Sequence, residues 1–342
     1  MQSVDHKCPN CNAVLKYNPK GKNWKCDYCG SAFKKEDIAK NEEKFEKTKV
    51  KKQNVEMDEY ECQNCGAKIV ADQNTAATFC VYCRNTAILK SRLTDEFAPS
   101  KVIPFAKTKE DAVAAFKKVC RGKLFIPKEF ALERNINEIK GVYIPFWLSS
   151  YETSCHITGN GTRITTWTTG DKIYTKTDVY SVDRSAEYTF NNIPVDGSKR
   201  FDDAIMNSVE PFNYAELTDF SPSYLSGFLA EKYDVPKEEA TVFAKDRAKT
   251  SSIDSLYRTV NYTNFVPKTK DVNFTKEESD YVLLPVWMVN VKYNGKMYPF
   301  AMNGQTGKMI GDIPWSKGKA FMWFGIVFVI AFILLMLVTY ML

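Results

Sequence analysis

The spacing of apolar residues changes character several times along the chain. From Ala320 it runs AFMWFGIVFVIAFILLMLVTYML, 23 positions without a charge. At about 1.5 Å per residue a helix of that length reaches roughly 34 Å, enough to cross a hydrocarbon core of about 30 Å. It lacks the polar stripe of a long soluble helix, so it predicts a transmembrane helix over 320–342. Upstream, Thr108 followed by Glu110 and Asp111 predicts a helix start, with Ala112, Ala115, Phe116 and Val119 on the inner face. Ser221 to Tyr233 and Lys237 to about Arg258 predict two more helices. The stretches 141–183 and 281–312 are rich in aromatic and β-branched residues. They predict antiparallel sheet with turns at Asn160-Gly161, Gly170-Asp171, Asn294-Gly295 and Asn303-Gly304.

Mixed strand and helix periods make the body, 94–315, an α+β domain. It carries an internal echo: IPF at 103 answers IPV at 193, each ahead of a helical stretch, and YIPFW at 143 answers LLPVW at 283. This predicts a duplicated unit. Pro145 and Pro285 are expected at strand starts or edges, because proline cannot donate a ladder hydrogen bond. The tryptophans beside them, Trp147 and Trp287, are expected to plug the core.

The N-terminal third follows a different rule. Cys8, Cys11, Cys26 and Cys29 form Cys-x2-Cys, fourteen residues, Cys-x2-Cys, and Cys62, Cys65, Cys80 and Cys83 repeat it 54 positions later. A two-residue gap lets both sulfurs of a knuckle face one ion at about 2.3 Å, and two knuckles complete a tetrahedron. Each block therefore predicts a structural Zn2+ site, two ions in all, with no coordination position left open. Short strands are expected at AVLKY and NWKC, around the turn at 19–21. The division expected is a first module over 1–33, a charged helical linker over 34–57, a second module over 58–93, the body and the span.

Charge and composition place these parts. The net +6 is concentrated in residues 1–57, where 13 Lys face 8 Asp or Glu. Two tetrathiolate zinc sites would each add about −2, so strong attraction to nucleic acid does not follow. No apolar leader follows the polar start MQSVDHKCPN, and paired thiols suit a reducing cytosol. Lys317 and Lys319 precede the span and nothing basic follows it. This places the N-terminal domains in the cytoplasm and the C-terminus outside the cell membrane.

The blocks CPNC...CDYCG and CQNCG...CVYC resemble zinc ribbons of the TFIIB type, which most often dock protein or nucleic acid. The whole pattern adds KVIPFAKTKEDAVAAFKK, GVYIPFWL, IPVDGSKRFDDAIMNSVEPFNYAEL and the final span. It is similar over essentially its full length to a family of Gram-positive bacterial membrane proteins, the YdjG type. These are encoded beside a phage-shock PspA homologue and a flotillin-like SPFH protein. The resemblance implies envelope-stress work through contacts with PspA-like and SPFH-domain proteins at the lipid bilayer.

An enzyme is not expected. A P-loop needs Lys followed by Ser or Thr, and every Gly-Lys here lacks that hydroxyl. Only His6 and His156 exist, and Cys155 beside His156 on a strand would point to the opposite face. The reading is a tail-anchored adaptor with no catalytic residues. Two alternatives stand beside it: nucleic-acid binding through Lys16, Lys20, Lys22, Lys25 and Trp24, and a thiol or zinc redox sensor.

Overall fold

A computed structural model describes residues 8–11, 13–42, 57–61, 68–72, 75–79, 86–88, 98–121, 123, 125–127, 129, 130, 132, 136–199 and 203–341. The N-terminal elements are strands β1 (Leu15–Asn18), β2 (Asn23–Cys26) and β3 (Ala32–Phe33), then helix α1 (Lys35–Glu42). Strands β4 (Met57–Glu61), β5 (Lys68–Asp72), β6 (Thr75–Phe79), β7 (Thr86–Ile88) and β8 (Lys101–Val102) lead to helix α2 (Lys109–Cys120). The body continues with β9 (Ile136–Thr169), β10 (Lys172–Asp196), α3 (Asp203–Val209), β11 (Thr218–Asp219), β12 (Leu229–Glu231) and α4 (Lys237–Tyr257). Strands β13 (Asn264–Tyr293), β14 (Lys296–Asn303) and β15 (Met309–Gly311) precede the apolar helix α5 (Lys317–Met341). The class is mixed α+β, as expected.

Helices α2 and α4 form where predicted, and local chemistry explains both starts. Thr108 caps α2 in a capping box: its side chain accepts from the Asp111 amide while Asp111 accepts from the Thr108 amide at 2.8 Å. Thr108→Ala is expected to cost about 1 kcal/mol, read as a lowered denaturation midpoint of the whole chain. Helix α4 begins after Pro236 and faces the sheet with Ala240, Ala244, Ala248, Ser252 and Leu256, a stripe of mostly small residues. The expected helix over Ser221–Tyr233 is instead a 3-10 turn at Pro222–Leu225 followed by β12. Its tertiary partners decide this: β12 pairs in parallel with β9 and antiparallel with β6.

The frame of the body is the antiparallel pair β9 and β13, paired from Thr162↔Asn264 to Ile136↔Val291 with register shifts at Pro267/Thr269, Phe274/Lys276 and Asn290/Val291. Over 142–148 and 281–287 both strands are buried, and successive residues feed opposite faces. Tyr143, Trp147, Tyr281, Leu283 and Trp287 join one core with Phe105, Phe116, Phe228 and Phe300. Ile144, Phe146, Leu148, Val282, Leu284 and Val286 join another with Met206, Val209 and Phe212. A sheet covered on both sides reads as a continuous apolar run.

The Gly170-Asp171 and Asn294-Gly295 turns form as expected, joining β9 to β10 and β13 to β14, and Asn303-Gly304 opens the loop before β15. Asn160-Gly161 is no turn. It lies inside β9, where a Cβ on Gly161 would come within 2.6 Å of the Tyr262 ring. Glycine serves close approach there. Beyond Thr162 the β9–β10 hairpin runs past the start of β13 as a free arm, with Trp167 stacked on Tyr174 at 5.7 Å.

Pro145 and Pro285 are also placed otherwise than expected, in the middle of β9 and β13. The side that lacks their N–H faces a handover between neighbours. Pro145 falls between the rungs to β12 at Tyr143 and those to β10 at Phe146. Pro285 falls between the rungs to β8 at Leu283 and those to β14 at Val286. Their carbonyls accept from Gly197 (2.9 Å) and Gly304 (2.8 Å). The Gly197 carbonyl accepts from the Asp234 and Val235 amides, and the Gly304 carbonyl from the Ala106 and Lys107 amides. Trp147 Nε1 donates to Val235 O and Trp287 Nε1 to Lys107 O, each at 2.9 Å. Those carbonyls directly precede the first turns of α4 and α2. Ile193 to Val195 lies within β10, at the end of a 25-residue strand that precedes the helix over 203–209.

Candidate metal centre

The cage is built by two matching turns. Cys8 donates its amide to Ala13 O at 2.6 Å across the first knuckle, and Cys26, the last residue of β2, donates to Ser31 O at 2.9 Å across the second. Gly30, with φ +75°, closes the second turn onto the Cys26 carbonyl at 2.9 Å. That left-handed backbone is what Cys29-Gly30 supplies. The β1–β2 hairpin, in register from Leu15↔Cys26 to Asn18↔Asn23, brings the knuckles together.

The four Sγ atoms of Cys8, Cys11, Cys26 and Cys29 all lie within 4.8 Å of one another. Cys8 and Cys29 are 3.6 Å apart, Cys11 and Cys26 3.4 Å. A tetrahedron with Zn–S of about 2.3 Å has sulfur–sulfur edges of about 3.8 Å. Spacing and donor set both fit one zinc ion held by these four residues, which would stiffen the knuckles and leave no position for a substrate. Cys62, Cys65, Cys80 and Cys83 lie outside the described residues. From their block, β6 pairs with β12 and so extends the body's sheet.

Over 323 residues, 94% of this chain and 93% of the relative, the sequence is 37% identical to a protein of Bacillus subtilis (strain 168) described as "Uncharacterized protein YdjG". The chain belongs to the YdjG family. No family model and no solved structure matches it.

In this YdjG-family chain the four sulfurs are not equivalent. Cys8 and Cys26 are buried and Cys11 half-buried, whereas Cys29 is exposed. Hydrogen bonds from the side chain and backbone of Ser31 hold the Cys29 thiol down to about 6. Asn10 Nδ2 donates to Ser31 Oγ at 3.0 Å, and the same oxygen lies 3.2 Å from Cys29 Sγ. At Cys11 the Ala13 amide lowers the thiol, but burial and the neighbouring sulfurs outweigh it and push it up to about 12. Asn10 suits the first turn by sequence, but the cysteine spacing marks neither it nor Ser31 as part of the hydrogen-bond chain at Cys29. Their signal is position: Asn10 lies within the first knuckle and Ser31 two residues after the second.

The module is clamped to the body. Trp24, 1% exposed, donates Nε1 to Ser223 O at 2.7 Å, and the Tyr17 amide donates to Ser226 O at 2.9 Å. The rings of Tyr17, Trp24 and Tyr224 pack at 5.1 to 5.5 Å in a closed trio. The 222–228 segment is thus the dock, which no pattern in the sequence marks. Trp24 is unavailable for stacking on bases, and Lys16 is paired with Asp27 at 2.8 Å.

Elsewhere Cys155 and His156 stand on opposite faces of β9. Cys155 is buried against Ile157 and Leu256 and its thiol is pushed up by burial. His156 Nε2 meets Asp183 Oδ1 at 2.9 Å in solvent. Cys120 is buried on α2. Among the described residues one helix, Lys317–Tyr340, is long and apolar enough to cross a membrane, and none of its apolar window is packed inside the protein.

Proposed function

We propose that the chain is a tail-anchored, non-enzymatic adaptor on the cytoplasmic face of the cell membrane. In this reading α5 is the anchor, the N-terminal cysteine modules are TFIIB-type zinc ribbons with one ion each, and the body is a duplicated unit of short strand, helix, long strand and hairpin. The observation that carries it is the closed set of four sulfurs in a module clamped through Trp24 to a body that ends in an apolar helix. A metal with four protein ligands builds a surface and leaves no site for chemistry. The paired hydrogen bonds around Pro145 and Pro285 support the duplication. PspA-like and SPFH-domain proteins, as partners in envelope stress, are the contacts that the family resemblance favours. Nucleic acid is disfavoured by the burial of Trp24.

The test is affinity capture from native membranes with mass spectrometry, comparing wild type with Cys62→Ser plus Cys65→Ser. Loss of specific proteins from the variant is expected. Identical partner sets would remove the second module from the recruiting role.

One observation favours a second reading, a redox sensor: Cys29 alone among the four sulfurs is exposed. Peroxide would transfer one oxygen to its thiolate, giving a sulfenate and water, and remove a zinc ligand. Zinc release within minutes of mild peroxide supports the sensor, and full retention rejects it.

A further inference from the structure

The loop between α2 and β9 is tied to the start of α5. Ser316 donates its amide to Phe125 O at 2.8 Å, and Lys319 Nζ donates to Ile126 O. The same Ser316 opens the helix, its carbonyl accepting from the Ala320 amide at 3.0 Å and its hydroxyl from the Lys319 amide at 3.3 Å. The loop is also held from the other side. Ile126 and Phe130 are buried, and Phe130 packs on Phe116, Tyr293, Tyr298 and Phe300. Between these two restraints Phe125 is turned outward, 42% exposed, beside the segment that carries Trp315, 67% exposed.

Where α5 spans the bilayer, its first turn lies at the level of the headgroups, and hydrogen bonds to that turn fix the loop at the same depth. Aromatic rings are favoured at that depth and lysines are drawn to anionic headgroups. Lys123 and Lys317 are exposed on either side of the contact.

We infer that Phe125 and Trp315 insert together into the membrane interface, with Lys123 and Lys317 on anionic headgroups, making the α2–β9 loop a second membrane contact beside the anchor. This rests on the reading of α5 as a span. The loop then sets the distance and tilt of the body over the lipid, which a single helix alone leaves free to swivel.

The full-length chain is reconstituted in phosphatidylglycerol–phosphatidylcholine vesicles, carrying a photoreactive benzoylphenylalanine at position 125, 315, 322 or 28, one at a time. Met322 lies in α5, and Tyr28, 84% exposed, lies on the cysteine module. After irradiation, lipid adducts are counted by mass spectrometry. Yields at 125 and 315 several-fold above that at 28, and falling when phosphatidylglycerol is omitted, are the expected result. Adducts at 322 with background yield at 125 and 315 overturn the loop contact and leave the anchor standing. Background yield at 322 as well overturns the anchor and this inference with it. The pair of positions 125 and 315 guards against one label disturbing its own site.

Discussion

Replacing Cys11 and Cys26 with serine is expected to remove one zinc ion per chain and to release the N-terminal module from the body. The module, residues 8–33, has three short strands, and its buried Leu15, Tyr17 and Trp24 join the core of the body. A structural zinc contributes on the order of 10 kcal/mol to folding of so small a unit. Without it the β1–β2 hairpin has no reason to hold Trp24 and Tyr17 on the 222–228 segment, so the loss of metal becomes a loss of docking. Elemental analysis of the purified chain and tryptic cleavage after Lys16, Lys22 and Lys25 check both halves. Unchanged zinc content would contradict the ligand assignment. Lost zinc with unchanged protection of those lysines would show that docking stands without the metal.

Trp24→Ala tests the clamp from its other side, leaving all four sulfurs in place. Truncating a buried tryptophan is expected to cost about 3–5 kcal/mol. Trp24→Phe keeps most of the apolar area but strips Ser223 O of its donor at 2.7 Å, an expected loss of about 1–3 kcal/mol. Because Tyr224 packs on the same indole at 5.2 Å, the pair Trp24→Ala and Tyr224→Ala is expected to be non-additive, by about 0.5–3 kcal/mol. The measurement is the urea concentration at which trypsin first cuts after Lys25, with zinc content followed in parallel. A Trp24→Ala chain that keeps both its zinc and its wild-type midpoint would show that the indole holds nothing together.

The features that could be read from the sequence are those fixed within about thirty residues. The knuckles of Cys8–Cys29 are such a case, because a metal cage is specified by spacing and by small turn residues such as Gly30. The capping box at Thr108 and Asp111, the start of α4 after Pro236 and the uncharged run of α5 are equally local. The Asn160-Gly161 dipeptide shows the limit: its local signal is a hairpin, and the ladders to β10 and β13 on both sides override it. Likewise 221–233 has the apolar spacing of a helix, yet its backbone is claimed by β9 and β6, neither adjacent in sequence. Pro145 and Pro285 cannot complete a ladder for a local reason, because proline has no N–H to donate. That the gap would fall in mid-strand, where one neighbour hands over to the next, depends on partners as distant as Val102, which pairs with Leu283. The clamp at Trp24 is the extreme case, a donor and acceptor 199 residues apart.

Strand β9 is at once part of the buried sheet, where it pairs with β13, and one of the two strands of the projecting arm. Rungs between antiparallel strands lie across the strand direction, so tension applied at the Gly170-Asp171 tip loads the whole β9 ladder in shear instead of unzipping it from one end. The arm is thus a stiff lever rooted in the core. Whatever grips its tip pulls directly on the residues beneath α2 and α4.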